Sequence, residues 1–147
     1  MKLSTKGRYS VTALYELALH YGEGVVPLKT IAKTQQISEN YLEQLMVPLK
    51  RAGLVESVRG AQGGYTLARA PEDVTIGRII TAVEGPIALV DCVLTSAEAD
   101  DQSCGRAGSC VTRQIWVEVC DSINAVLNNI SLADLVQRNR HRIGCNQ

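Results

Sequence analysis

The chain has 147 residues, 46% apolar and 4% aromatic with no phenylalanine, so its core must be built from Leu, Ile, Val and Ala. No run of about 18 apolar residues occurs, which excludes a membrane-spanning helix; the first residues carry no signal-peptide apolar stretch either, so a cytoplasmic protein is expected. Lys plus Arg and Asp plus Glu balance at 15 each, yet they divide nine to five over residues 1–70 and six to ten over residues 71–147, giving halves of +4 and −4. The basic half is the one suited to a phosphate backbone.

Ser4-Thr5 can cap a first helix whose apolar face is Val11, Leu14, Ala18 and Leu19, and Gly22 stops it. Lys2, Lys6 and Arg8 gather at its start beside free backbone N–H groups, which makes either a phosphate clamp or a solvated helix end. A short helix follows from about Leu28 to Thr34, with Ile31 and Ala32 inward, and breaks at Gln35-Gln36-Ile37. Ser38 then opens a helix from Glu39 to Arg51, in which Tyr41, Leu42, Leu45, Met46 and Leu49 keep helical spacing before Gly53 closes it.

Two short helices joined by a tight turn predict a helix-turn-helix. The outward face of the second helix presents Asn40, Glu43, Gln44 and Val47. Asn and Gln can pair bidentately with adenine, Glu can accept from cytosine, and Val can touch a thymine methyl. An ordinary helical core with a polar face is the alternative. The next stretch weighs against it: Leu54 to Arg59 alternates as a strand, Gly60-Ala61-Gln62-Gly63-Gly64 is a turn, and Tyr65-Thr66-Leu67 returns. A hairpin directly after a recognition helix is a wing, and Arg59 stands where it could enter a narrow minor groove.

Thr75 caps a helix carrying Ile76, Ile79, Ile80 and Val83 on one side, which ends at Gly85-Pro86 and is expected to pack on the winged head. After the cysteine loop, whose stretch Ser96 to Gln102 holds Glu98, Asp100 and Asp101, a long helix is expected from Val111 to about Ile130. Its stripe of Ile115, Val119, Ile123, Val126 and Ile130, flanked by Trp116 and Leu127, requires a second copy of the chain as its cover. Ser131 with Asp134 forms a capping box for a last short helix, and Arg138 to Gln147 is expected to be a polar tail. The fold class expected is therefore mainly α with a β-hairpin. It divides into a winged helix-turn-helix DNA-binding domain at 1–85, a cysteine-containing loop at 86–110, and a dimerisation helix with its tail at 111–147. Two such heads related by a twofold would read an inverted repeat in double-stranded DNA.

Cys92, Cys104 and Cys110 share one Gly-containing acidic loop. Three soft thiolates suit an iron–sulfur cluster, with Gly105 and Gly108 letting backbone bend around it and Arg106 and Arg113 as the nearby cations. Zinc would want a fourth tight protein ligand, and a thiol switch using Cys104 and Cys110 is the third possibility. Cys120 on the long helix reads as a buried structural cysteine, Cys145 as a spectator, and His20 and His141 as isolated. No nucleophile–base arrangement stands out, so an enzyme is not expected.

The segments Met1 to Tyr9, Tyr41-Leu42-Glu43-Gln44-Leu45 and Val58-Arg59-Gly60-Ala61-Gln62-Gly63-Gly64-Tyr65 resemble the bacterial winged-helix regulators that include the cluster regulator IscR, the nitric-oxide sensor NsrR and the cysteine-metabolism repressor CymR. The likeness runs through Ile130-Ser131-Leu132, and the surrounding sequence is most similar to the cluster regulator. This resemblance implies a homodimeric repressor, sometimes an activator, with Asn40, Glu43 and Gln44 on the base-reading helix, Arg59 in the wing, and Ser4, Lys6, Arg8 and Tyr9 on phosphates. The iron–sulfur members carry three loop cysteines, matched here by Cys92, Cys104 and Cys110, a trio the cysteine-metabolism repressor lacks. The cluster regulator's fourth ligand is a histidine where this chain has Arg113, and the nitric-oxide sensor's is an acid where it has Arg8, so neither carries over. The resemblance thus implies an iron–sulfur cofactor, 2Fe-2S ahead of 4Fe-4S, sensed through promoter binding. The competing class is a cofactor-free repressor of cysteine or sulfur metabolism acting through thiol chemistry or a partner enzyme.

Overall fold

A computed structural model describes residues 3–94 and 104–144. Six α-helices and one hairpin follow in chain order: α1 (Thr5–Leu19), α2 (Leu28–Gln35), α3 (Glu39–Arg51), β1 (Val55–Val58), β2 (Gly64–Leu67), α4 (Ile76–Glu84), α5 (Arg113–Asn128) and α6 (Leu132–Gly144). The expected mainly α architecture with a winged helix-turn-helix and a long later helix is what forms.

Local chemistry sets the boundaries. The Ser4 hydroxyl accepts from Gly7 N–H at 3.1 Å to cap α1, and the Ser38 hydroxyl accepts from Tyr41 N–H at 3.3 Å to cap α3. Between α2 and α3 the chain reverses through Gln36 at φ 55°, a left-handed residue that ends α2 while Ile37 N–H donates to Ala32 C=O at 2.9 Å. The break expected at Gln35-Gln36-Ile37 is this turn.

The core sits where α1, α3 and α4 meet. Leu14 on α1, Ile31 on α2, Leu42 and Leu49 on α3, and Ile79 on α4 are all fully buried. Each such side chain contributes roughly 1.5–3 kcal/mol relative to exposure. The inner face of α1 is rotated from the one its sequence predicts: Ala13, Leu14, Leu17 and Ala18 are buried, Val11 is half-buried, and Leu19 is exposed. Leu19 ends its helix, at the rim of an open cleft between α1 and α6.

The hairpin pairs Val55 with Leu67 and Val58 with Gly64, antiparallel. Val26 joins its edge by reciprocal backbone bonds with Tyr65 at 2.8 and 2.9 Å. A Cβ on Gly64 would strike the Val26 carbonyl, so this close approach requires glycine.

The carboxy-terminal helices rejoin the head. Leu132 is fully buried in the same core, Ile76 N–H donates to Ile130 C=O, and Leu132 N–H donates to Val74 C=O, both at 2.9 Å. The Ser131–Asp134 capping box forms as expected, with Ser131 N–H on Asp134 Oδ2 at 2.8 Å and Asp134 N–H on Ser131 Oγ at 3.1 Å. The helix it opens is longer than expected, running to Gly144 through residues read as tail, with Leu135 and Val136 packed on the core. The long helix starts at Arg113, two residues after the predicted Val111. Lys2, Cys145, Glu98, Asp100 and Asp101 lie outside the described residues.

Candidate nucleic-acid interface and cysteine segment

α3 separates two faces by its period. Leu42, Leu45, Met46 and Leu49 are buried, while Asn40, Glu43, Gln44 and Val47 are exposed on the other side. Across a groove from that outer face stands the wing, with Arg59 exposed at its tip and Gly60 at φ 117° in the turn. Glu43, Val47, Lys50, Ser57, Arg59 and Tyr65 line the groove. Lys50 Nζ donates to the Ser57 hydroxyl, tying the last turn of α3 to β1. The Tyr65 phenol is pushed up from its ordinary value, first by burial and then by the Glu43 carboxylate across the groove.

The start of α1 adjoins this face. The Tyr9 ring meets the Tyr41 ring edge-on at 6.0 Å and 79°, and the Arg8 guanidinium lies 5.9 Å from the Tyr9 centroid. Lys6 and Arg8 are exposed. Ser4 is engaged within the protein: besides capping α1, its hydroxyl donates to the Glu84 carboxylate at the end of α4. That carboxylate stands at the amino end of α1, a favourable place for negative charge, and the missing side chain of Gly7 makes room for it. Nothing in the sequence marked Glu84, because the pairing depends on how α1 and α4 pack. Lys50 was legible: it lies seven residues after Glu43 and three after Val47, on the same helical face.

Of the three loop cysteines, Cys92 is half-buried in a 3₁₀ turn over Asp91–Val93, Cys104 is exposed, and Cys110 is half-buried just before α5. The Cys104 carbonyl accepts from Ala107 N–H at 2.9 Å, which folds residues 104–109 into tight turns. The Cys110 sulfur lies 3.3 Å from the Thr112 hydroxyl. That hydrogen bond, followed by the backbone N–H groups of Thr112 and Arg113, draws the Cys110 thiol below the ordinary thiol range, and the Arg113 charge adds to it. Arg113 Nε also donates to the Cys92 carbonyl at 2.8 Å. Among the described residues, no three His, Cys, Asp or Glu side chains stand together as a group able to hold a metal ion. The Arg113 position, where a fourth ligand would be sought, carries a cation committed to a backbone carbonyl.

Cys120 is buried on α5, where its sulfur accepts from Leu89 N–H at 3.3 Å, as a structural cysteine should. Elsewhere along α5, Ile115, Trp116, Val119 and Val126 are exposed. Apolar side chains in that number on one helix call for a cover. No described helix is long and apolar enough to cross a membrane.

Comparison with known proteins agrees with this architecture. The regulator CymR of Bacillus subtilis is 44% identical over 92% of this chain and 89% of its own length. The regulator IscR of Erwinia tasmaniensis is 43% identical over 92% of this chain and 79% of its own. Among solved structures, B. subtilis CymR, described as the global cysteine regulator, matches with a TM-score of 0.74 at 43% identity, covering 94% of this chain and 98% of that one. IscR of T. potens matches with a TM-score of 0.74 at 45% identity, covering 95% and 88%. The two kinds of regulator are thus matched equally well, where the sequence alone favoured IscR. A family profile described as an iron-dependent transcriptional regulator, Rrf2, matches residues 3–138, and the chain belongs to the Rrf2 family of DNA-binding transcriptional regulators.

Proposed function

We propose that this homodimer is an operator-binding repressor whose DNA affinity is set by thiol chemistry in the Cys92–Cys110 segment, without a resident metal cluster. One observation carries the reading: the activated Cys110 thiol stands immediately before α5, and Arg113 in the first turn of that helix holds the Cys92 carbonyl. A thiolate at Cys110 can attack a low-molecular-weight disulfide, forming a mixed disulfide on its sulfur and releasing the other half as a thiolate, with the Cys110 proton lost to solvent beforehand. A second thiol, Cys104 or Cys92, can then displace the adduct as a thiolate and leave a protein disulfide. Either product alters the segment joining the winged head to the pairing helix. Such a signal fits control of cysteine or sulfur metabolism, and the B. subtilis relative is described as a global cysteine regulator.

In this reading Asn40, Glu43 and Gln44 contact base edges of an inverted-repeat operator, and Arg59 enters the minor groove from the wing. Lys6, Arg8 and Tyr9 hold phosphates, with Ser4 acting through its cap on α1. The exposed α5 face sets the spacing of the two heads.

The second reading is an iron–sulfur sensor held by Cys92, Cys104 and Cys110, in the 2Fe-2S form ahead of the 4Fe-4S form. It is favoured by the number of thiols around one segment and by the IscR relatives. Iron and sulfide quantitation after anaerobic reconstitution separates the two. No retained iron or sulfide, together with three rapidly alkylated thiols, supports the thiol reading; stoichiometric iron and sulfide that protect those thiols from alkylation overturn it.

A further inference from the structure

Glu16 is a buried acid, 5% exposed, on the inner side of α1. A carboxylate in that position costs several kcal/mol unless it is paired, and none of the contacts described above uses it. Its partners identify its task. Gln35 Nε2, in the last residue of α2, donates to Glu16 Oε2 at 2.9 Å. His20 Nε2 lies 3.4 Å from Glu16 Oε1, and His20 Nδ1 lies 2.9 Å from Glu23 Oε2, so the carboxylate is held on its own helix as well.

Gln35 is not an arbitrary partner. It immediately precedes Gln36, the one non-glycine residue with positive φ among the described residues. Gln36 turns the chain into Ile37, which is buried, and Ser38, which caps α3. The bond from Glu16 therefore fastens the helix-turn-helix to α1 at the residue before it reverses. Elsewhere α2 buries Ile31 and Ala32 and packs half-buried Leu28 on the core, with no apolar anchor beyond Ala32. A charge-assisted hydrogen bond at Gln35 adds a directional tie at the end of that helix.

We infer that Glu16 is a positioning residue for operator recognition: through Gln35 it sets the direction in which α3 leaves the turn, without touching DNA. The inference rests on α3 being the base-reading helix, and it adds a determinant on a different element.

The test uses the full-length dimer and two duplexes, one carrying an operator selected from random sequence and one of scrambled sequence. Glu16→Leu fills the same space without the hydrogen bond, and Glu16→Gln keeps an oxygen that can accept from Gln35. The expected result is an affinity loss of at least about tenfold for Glu16→Leu on the operator, unchanged affinity on scrambled DNA, and an operator affinity for Glu16→Gln near that of the parent. Operator affinity of Glu16→Leu equal to the parent, or equal losses on both duplexes, overturns the inference. If Glu16→Leu does not fold, Gln35→Leu probes the same bond from its other side: the same selective loss supports the inference, and parental operator binding overturns it. A parent that binds both duplexes alike would instead remove the base-reading role of α3, an outcome separable from these.

Discussion

Arg113 reaches from the first turn of α5 to the backbone carbonyl of Cys92, donating from Nε at 2.8 Å across 21 residues of sequence. This contact joins the two ends of the cysteine segment. It also places the first turn of α5 in direct contact with Cys92, with Cys110 three residues upstream of Arg113. Coupling of this kind has a definite size: a tenfold change in operator affinity needs about 1.4 kcal/mol of difference between the two thiol states. Losing one charge-assisted hydrogen bond is of that order.

The reactivity of Cys110 should depend on Thr112. A thiol drawn below its ordinary range supplies thiolate at lower pH, so alkylation of Cys110 should rise with pH earlier than that of a free low-molecular-weight thiol. Thr112→Val removes the hydroxyl bond and should move the Cys110 profile up in pH. Mass-spectrometric alkylation rates across pH measure both proteins; a Thr112→Val profile coincident with the parent's would contradict the assignment.

Reading and clamping residues should separate by sequence dependence. Glu43→Ala should relax discrimination at one base position by roughly 1–3 kcal/mol, with little effect on scrambled DNA. Lys6→Ala should weaken every duplex alike and reduce the salt slope by about 1. Fluorescence anisotropy at several salt concentrations checks this, and equal losses on both duplexes for both variants would contradict the roles.

The pairing face can be tested without disturbing the head. Val126 is 59% exposed on α5, so Val126→Glu should leave the fold intact and place a charge on the exposed apolar face of that helix. Sedimentation velocity should find monomer at micromolar protein, with affinity lost for the inverted repeat and kept for a half-site. An unshifted dimer would remove α5 as the interface.

Acid should loosen α6. The Asp134 carboxyl is held below its ordinary value, chiefly by the backbone N–H of Ser131 and then by its hydroxyl. A depressed carboxylate contributes stability that is present above its unfolded-state pKa and is lost as pH falls through its folded-state value. Asp134→Ala should therefore lower the melting temperature at pH 7 and flatten the decline below about pH 4. Parallel pH–stability curves for variant and parent would contradict the capping role.

The sequence exposed those features that depend on local chemistry. Ser38, Thr75 and the Ser131–Asp134 pair each announced a helix start, and alternation around Gly60–Gly64 announced the wing. The outward set on α3 followed from its period alone. What stayed hidden depends on contacts between distant elements: the carboxylate of Glu84 at the start of α1 and the bond from Gln35 to Glu16. At the cysteine segment the count of thiols was legible, whereas their relation to Arg113 was not. The thiol count pointed to metal, whereas among the described residues no three such ligands stand together.

The most direct measurement is operator affinity of the parent and of Cys110→Ser, each fully reduced and then treated with a low-molecular-weight disulfide, with iron absent throughout. Disulfide treatment should change parental affinity by about tenfold or more, reductant should restore it, and Cys110→Ser should not respond. Parental affinity indifferent to treatment, or the same response in Cys110→Ser, would contradict control of DNA binding through this thiol.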